Sequence, residues 1–321
     1  MTNPATPAAA NPFAALLNRP YLILILANLF WGGNVVAGKL AVGNIDPYVL
    51  MLVRWLGAAL LMLPFAIGPL RRSWPVLRRH WPLYLFYGAL GFGSFNMLIY
   101  LAAYHTAGVN IAMEQVVINI LVMALNFALF RIGVGPLQLA GAALTIVGVA
   151  LVATHGEIAT ILALRINFGD GLVLLACIVW AIYSLSLRYR PPTDWLTFMV
   201  VTCGGAALAS VVYMATFGGG LATLPARLAE VTPNGWLITA YTIVFPSILA
   251  QLFYVRGVEL IGANRASLFI NFLPLFGTIG SILVVGETLQ PFHLAAAAVI
   301  TLGIVLAEWS ARRGQIAVSE P

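Results

Sequence analysis

From residue 21 onward the chain alternates apolar stretches of about 20 residues with short polar breaks. A helix rises about 1.5 Å per residue, so about 20 residues cover the roughly 30 Å hydrocarbon core of a bilayer. The pattern predicts ten membrane-crossing helices, over residues 21–41, 47–68, 82–104, 107–130, 136–154, 169–188, 195–216, 234–256, 263–285 and 291–310. Pro82, Pro136 and Pro291 mark helix starts, where a missing N–H removes no intrahelical bond. Residues 1–20, rich in Ala and Pro, read as a disordered tail, and residues 311–321 as a second tail.

The ten helices read as two copies of five. Ala27 to Trp31 matches Ala176 to Trp180 at an offset of 149, and Gly57-Ala58-Ala59-Leu60 matches Gly205-Ala206-Ala207-Leu208 at 148. Tyr100, Gly108, Asn110 and Ala112 pair with Tyr254, Gly262, Asn264 and Ala266 at 154. Pro136 and Gly148 pair with Pro291 and Gly303 at 155. A nearly constant, slowly drifting offset is the mark of an internal duplication. Five is odd, so the second copy, residues 169–310, enters the membrane from the face opposite to the first, residues 21–154. The expected fold is therefore an all-α polytopic membrane protein of ten transmembrane helices in two inverted repeats.

Composition agrees with lipid as the main solvent. The chain is 61% hydrophobic and 8% charged, against roughly 45–50% and about 25% in soluble domains. With 16 Lys+Arg and 10 Asp+Glu it cannot keep a soluble surface wetted, which excludes a soluble enzyme, a nucleic-acid binder and a disordered chain. With the N-terminus inside, twelve of the sixteen basic residues fall on cytoplasmic segments: Arg19, Arg71, Arg72, Arg78, Arg79, Arg131, Arg188, Arg190, Arg256, Arg265, Arg312 and Arg313. The positive-inside rule then places both termini in the cytoplasm. Cys177 and Cys203 both lie inside apolar runs, so neither a disulfide framework nor a metal site follows from them. Zinc-protease, P-loop and serine-hydrolase signatures are absent. The sequence implies no enzyme, no cofactor and no metal.

Several positions together carry a family resemblance. They are Trp31 with Gly32 in the first helix, Trp180 with Ala181 in the sixth, Arg54-Trp55 in the second, the region of Pro274 in the ninth, Gly286-Glu287 at its end, and the small-residue final helix of each repeat. With these the chain resembles the drug/metabolite transporter superfamily, in its ten-helix EamA-type branch, over residues 20–310. It departs from the pattern where repeat one has Arg131-Ile132 near the place of Gly286-Glu287, and Asn119-Ile120 near the place of Pro274. The resemblance implies a secondary transporter. Within the branch the chain is similar to bacterial exporters of aromatic and other neutral amino acids, which would place it in a bacterial cytoplasmic (inner) membrane.

Polar side chains in hydrocarbon are costly unless they face a partner or a wet cavity, so they mark candidate sites. Helical spacing collects them on faces: Asn96 and Tyr100 on the third helix, Gln115 and Asn119 on the fourth, Trp180, Tyr183 and Ser184 on the sixth, Ser247, Gln251 and Tyr254 on the eighth, and Asn271 on the ninth. With Trp31 and Asn34 on the first, these residues are expected to line a central solute cavity, although single members serve equally as glue between helices. Tyr21, Trp74, Trp81, Trp195, Trp236 and Trp309 sit at span ends and read as interface anchors. Trp31 and Trp180 lie at equivalent mid-span positions and are the expected ring contacts for solute. The run Gly88, Gly91 and Gly93 in the third helix reads as close helix packing.

Two charges fall clearly inside helices: Arg54 is six residues into the second and Glu114 about seven into the fourth, each roughly 9–10 Å deep. Two readings stay open. They form a structural ion pair, with Lys39 a rival partner of Glu114, or Glu114 carries a coupling proton and Arg54 attracts a substrate carboxylate. Gly32 and Gly33 in the first helix, Pro246 in the eighth and Pro274 in the ninth are candidate hinges or passive kinks.

The expected activity is export of a small zwitterion, an amino acid foremost, by alternating access. Neutral linings suit it, and no Arg or Lys is expected near the midplane to bind phosphate. Other exported metabolites or drugs, and a membrane receptor that moves nothing, are the alternatives. The expected partners are the solute and the lipid bilayer, without nucleic acid.

Overall fold

A computed structural model of the chain describes residues 12–41, 43–102, 105, 115, 117–131, 133–153, 156, 168–285 and 290–319. The described elements are helical: α1 (Pro12–Leu17), α2 (Pro20–Ala41), α3 (Pro47–Phe86), a π-helical segment (Tyr87–Ser94), α4 (Phe95–Ala102), α5 (Val117–Phe130), α6 (Pro136–Ala153), α7 (Phe168–Ser186), α8 (Trp195–Thr216), α9 (Leu224–Ala229), α10 (Pro233–Thr242), a second π-helical segment (Ile243–Leu249), α11 (Ala250–Ile261), α12 (Ala263–Leu268), α13 (Phe272–Val285) and α14 (Pro291–Ser319). The first span is α2. The second is the start of α3, and the third runs from the end of α3 through the π-helical segment to α4. Spans four to seven are α5, α6, α7 and α8. The eighth is α10, its π-helical segment and α11; the ninth is α12 with α13; the tenth is α14. The chain is an all-α polytopic membrane protein.

The packing repeats between halves. The first span packs on the eighth and ninth, and the sixth packs on the third and fourth. The second packs on the seventh, and the fifth on the tenth. Exchanging each span with the one five places later turns this set of pairs into itself, as a pseudo-two-fold relation requires. Local signals are duplicated too. Asp46 caps the second span by accepting from the backbone N–H of Tyr48 and Val49, and Asp194, 148 positions later, caps the seventh by accepting from that of Thr197. The spacing between halves is set by small residues. A Cβ on Gly88 would stand 2.2 Å from the Thr202 carbonyl oxygen, and one on Gly91 would stand 2.3 Å from the Tyr183 ring, so the expected close packing of this glycine run is observed.

Three boundaries differ from the sequence reading. Within the tail, Pro12–Leu17 is a helix whose Leu16 and Leu17 pack against the core, because these apolar residues have a surface to cover. At the other end α14 runs on to Ser319, well past residue 310. Between the second and third spans no coil loop forms. The backbone stays helical from Pro47 to Phe86 except at His80 (φ −116°, ψ 19°), two residues before Pro82, whose ring and missing N–H disfavour an unbroken turn there.

The two ends of the bundle are tied by charge. At one end Glu259 accepts from both Arg190 and Arg256, and Arg256 also donates to the Leu17 carbonyl and to Asn18 Oδ1. At the other, Arg227 pairs with Asp46 while Thr232 donates to Asn44 Oδ1 at 2.6 Å.

Candidate functional site

Where the halves meet, four helices bring aromatic rings together. Trp31 and Trp180 touch edge to face, with centroids 5.4 Å apart and planes at 85°. Tyr254 completes a triangle at 5.2 Å from Trp31 and 5.4 Å from Trp180, and Phe95 closes on Trp180 at 4.7 Å. Contact between two equivalent residues puts both on the axis that relates the repeats. The cluster is sealed: Trp31 is 7%, Trp180 3% and Tyr254 0% exposed. Tyr254 OH shares a hydrogen bond with Ser184 Oγ at 3.1 Å.

The eighth span reaches this cluster through its π-helical segment, and Pro246 accounts for the local wiring. Proline has no N–H to offer the carbonyl of Thr242, four residues back. Ser247 Oγ donates to that carbonyl instead, at 2.7 Å. The Pro246 carbonyl in turn accepts from Trp31 Nε1–H at 3.3 Å. Ser247 Oγ keeps lone pairs, and one accepts from Nε of Arg54. π-Helical insertions recur at functional positions, and here both the third and eighth spans carry one. In the third, Ser94 Oγ donates to the Ala89 carbonyl at 2.7 Å, the same five-residue reach as Ser247 to Thr242.

Arg54 is 1% exposed. Besides Ser247 its guanidinium donates from Nη1 to Tyr100 OH at 3.1 Å and to Asn96 Oδ1 at 3.3 Å, and it lies 4.7 Å from the centre of the Trp55 ring. Asn96 Nδ2 donates to the Phe92 carbonyl at 2.9 Å. The expectation of no cationic group near the middle of the bundle is thereby corrected. Arg54 starts near a helix end, but its long side chain spans to Ser247, fourteen residues into the eighth span. Its pairing with Glu114 lies outside the described residues, as do Glu114 itself and the side chain of Lys39.

The other expected site residues divide into two groups. Asn96, Tyr100 and Ser247 are engaged by Arg54, and Tyr183 packs against Tyr87 and Phe92. Asn34 Oδ1, Gln251 Oε1, Asn271 Nδ2 and Tyr183 OH are buried atoms without a hydrogen-bond partner among the described residues. Gln115 is partly buried, and the side chain of Asn119 lies outside the described residues. Of the candidate hinges, Gly32 and Gly33 sit inside an unbroken α2 and admit neighbours. A Cβ on Gly32 would stand 2.7 Å from Phe276 Cβ, and one on Gly33 would stand 2.1 Å from Tyr241 OH. Pro246 lies in the π-helical segment, and Pro274 in α13 with its side chain outside the described residues.

The site residues expected from the sequence do not include Tyr241, Thr242 or Asn28, nor Trp55, which enters only through the family resemblance. Tyr241 donates to the Phe30 carbonyl at 3.2 Å, and Trp55 stacks on Phe92 at 5.1 Å. Asn28 is buried in the first span, its Oδ1 without a described partner. Pro246 beside a small hydroxyl residue was the available signal for Thr242.

The sequence model described as the EamA-like transporter family matches the chain twice, over residues 18–154 and 167–309. Two Bacillus subtilis (strain 168) proteins named as uncharacterized transporters are similar. YyaM is 28% identical over 291 residues, covering 89% of this chain and 92% of YyaM, and YetK is 25% identical, covering 88% and 85%. A solved crystal structure shares the fold with a TM-score of 0.72 at 18% identity, covering 92% of this chain and 98% of the other.

Proposed function

The chain belongs to the EamA-like transporter family, and from that premise we propose that it exports small zwitterionic metabolites, amino acids foremost, across the cytoplasmic membrane by alternating access. The family match makes it a membrane transporter. The observation that carries the finer reading is the aromatic cluster of Trp31, Trp180 and Tyr254 at the junction of the repeats. Faces of Trp and Tyr attract ammonium groups, most strongly where water is excluded. The same rings offer apolar area to an aromatic side chain.

Buried acceptors support the reading as well. Asn34 Oδ1 and Gln251 Oε1 stand on two helices that pack together, and neither has a partner among the described residues. An ammonium brings the donors that such oxygens lack, and an unpaired buried acceptor costs about 1–3 kcal/mol until one arrives. Arginine-bearing segments that the order of the spans assigns to one side support cytoplasmic termini.

The cycle follows from the symmetry. Each half can adopt the conformation of the other, so exchanging their roles turns an opening on one side into an opening on the other. The test is counterflow: proteoliposomes loaded with unlabelled amino acid are expected to accumulate labelled amino acid across a panel, with and without a pH gradient. Saturable binding without flux for every member would remove the reading.

A further inference from the structure

A guanidinium sits in the middle of this bundle with no carboxylate against it among the described residues. Arg54 is 1% exposed, and its hydrogen-bond partners, Ser247 Oγ, Tyr100 OH and Asn96 Oδ1, are neutral. Trp55, under the guanidinium plane, is neutral too. The acidic side chains described elsewhere are committed at helix ends: Asp46 to its cap and Arg227, Asp194 to its cap, Glu259 to Arg190 and Arg256. Glu230 is exposed at the end of α9. A buried cation is expensive unless an anion neutralises it, and Arg54 is held so that only two of its three nitrogens make these bonds. The Nη2 amino group makes none of them.

We propose that Arg54 is the anchor for the carboxylate of the transported solute. The inference rests on the transport reading and names the chemistry of one end of its site. A guanidinium N–H makes a charge-assisted hydrogen bond to a carboxylate, and the two N–H of Nη2 are the ones that Ser247, Tyr100 and Asn96 leave over. One positive charge balances one carboxylate. A phosphate dianion would leave net negative charge in a low-dielectric site, and the other described arginines stand at or beyond the ends of the spans. Ser247 ties the anchor to the aromatic cluster: it accepts from Arg54, and the neighbouring Pro246 carbonyl accepts from Trp31. The groups that would meet the carboxylate and the ammonium of an amino acid, Arg54 and Trp31, are thus held by adjacent residues of one π-helical segment.

The experiment is calorimetric titration of the purified full chain with two matched pairs, phenylalanine against phenylalaninamide and phenylacetate against phenylacetamide. Each acid is expected to bind at least tenfold tighter than its amide. In Arg54→Gln the acids should weaken at least tenfold while the amides hold their affinity, and Glu114→Gln should keep the acid preference. Equal affinities within both pairs, failure of both acids to bind, or an intact preference in Arg54→Gln would overturn the proposal. So would a preference that emerges only in Glu114→Gln, which would assign the charge of Arg54 to Glu114. If Arg54→Gln does not fold, the wild-type pairs still decide. Flux separates the two claims: tracer exchange of amides as fast as acids removes the anchor and leaves the transporter reading, whereas absence of exchange for every solute removes that reading whatever the titrations give.

Discussion

Gly141 and Gly303 face each other backbone to backbone across the fifth and tenth spans. A Cβ on Gly303 would stand 2.6 Å from the Gly141 carbonyl oxygen, and one on Gly141 would stand 2.5 Å from that of Gly303. The repeat offset of 155 carries Gly148 to Gly303 and Gly141 to Ala296. A Cβ on Gly148 would stand 3.2 Å from the Ala296 carbonyl oxygen. The same close approach is built twice, as a two-fold relation between the halves demands. Lipid gives helices no hydrophobic reason to associate, so contacts of this kind, made through small residues, supply the attraction.

Gly303→Ala is therefore expected to destabilise the chain by about 1–3 kcal/mol, since its Cβ would also meet Thr145 Cγ2 at 2.7 Å and Thr145 N at 2.9 Å. Gly204→Ala is the control: a Cβ there meets nothing within 4 Å, and the gain in helix propensity is roughly 0.5–1 kcal/mol. Thermal unfolding in detergent should lower the midpoint for the first variant and leave or raise it for the second. Equal midpoints would deny the interface its tightness.

Gly33→Ala should fail for a reason that one other residue can relieve. The new methyl would stand 2.1 Å from Tyr241 OH and 3.2 Å from Tyr241 Cζ. Tyr241→Phe removes the nearer atom, so the double variant should recover part of the stability that Gly33→Ala loses. A double-mutant cycle with no coupling between the two sites would contradict the contact.

Ser247→Ala removes the hydroxyl that satisfies both the Thr242 carbonyl and Arg54 Nε. Leaving a buried acceptor and a buried charge less well partnered should cost about 1–3 kcal/mol, and Ser247→Thr should restore most of it. Unfolding midpoints of the two variants check this, and an Ala variant as stable as wild type would show that the bridge carries no weight.

Much of this architecture was legible in the sequence, and the parts that were not have physical reasons. Trp31 and Trp180 stood out because two large rings at a constant offset, far from span ends, have no interface role to explain them. Asp46 and Asp194 lie at predicted span ends, where a carboxylate can cap a helix, and both do so. The π-helical insertions left no periodic trace, since one extra residue in a uniformly apolar span changes no pattern of polar positions. Pro246 hinted at the second; nothing of that kind marks Tyr87–Ser94. The depth of Arg54 misled because spacing along a helix locates a Cα, whereas an arginine head lies several ångströms further on. The segment between the second and third spans reads as a loop from its arginines and prolines, yet it folds as helix, with Trp74 63% and Trp81 62% exposed, as interfacial anchors are.

The central claim is that solute passes against the rings where the repeats meet, and its most direct measurement is the initial rate of aromatic amino-acid counterflow in proteoliposomes holding wild type, Trp180→Ala or Trp236→Ala at equal reconstitution. Trp236 is 44% exposed near the start of the eighth span and serves as the control. The account predicts at least a tenfold fall for Trp180→Ala, about 1.4 kcal/mol or more, and a wild-type rate for Trp236→Ala. Equal rates in all three would contradict it.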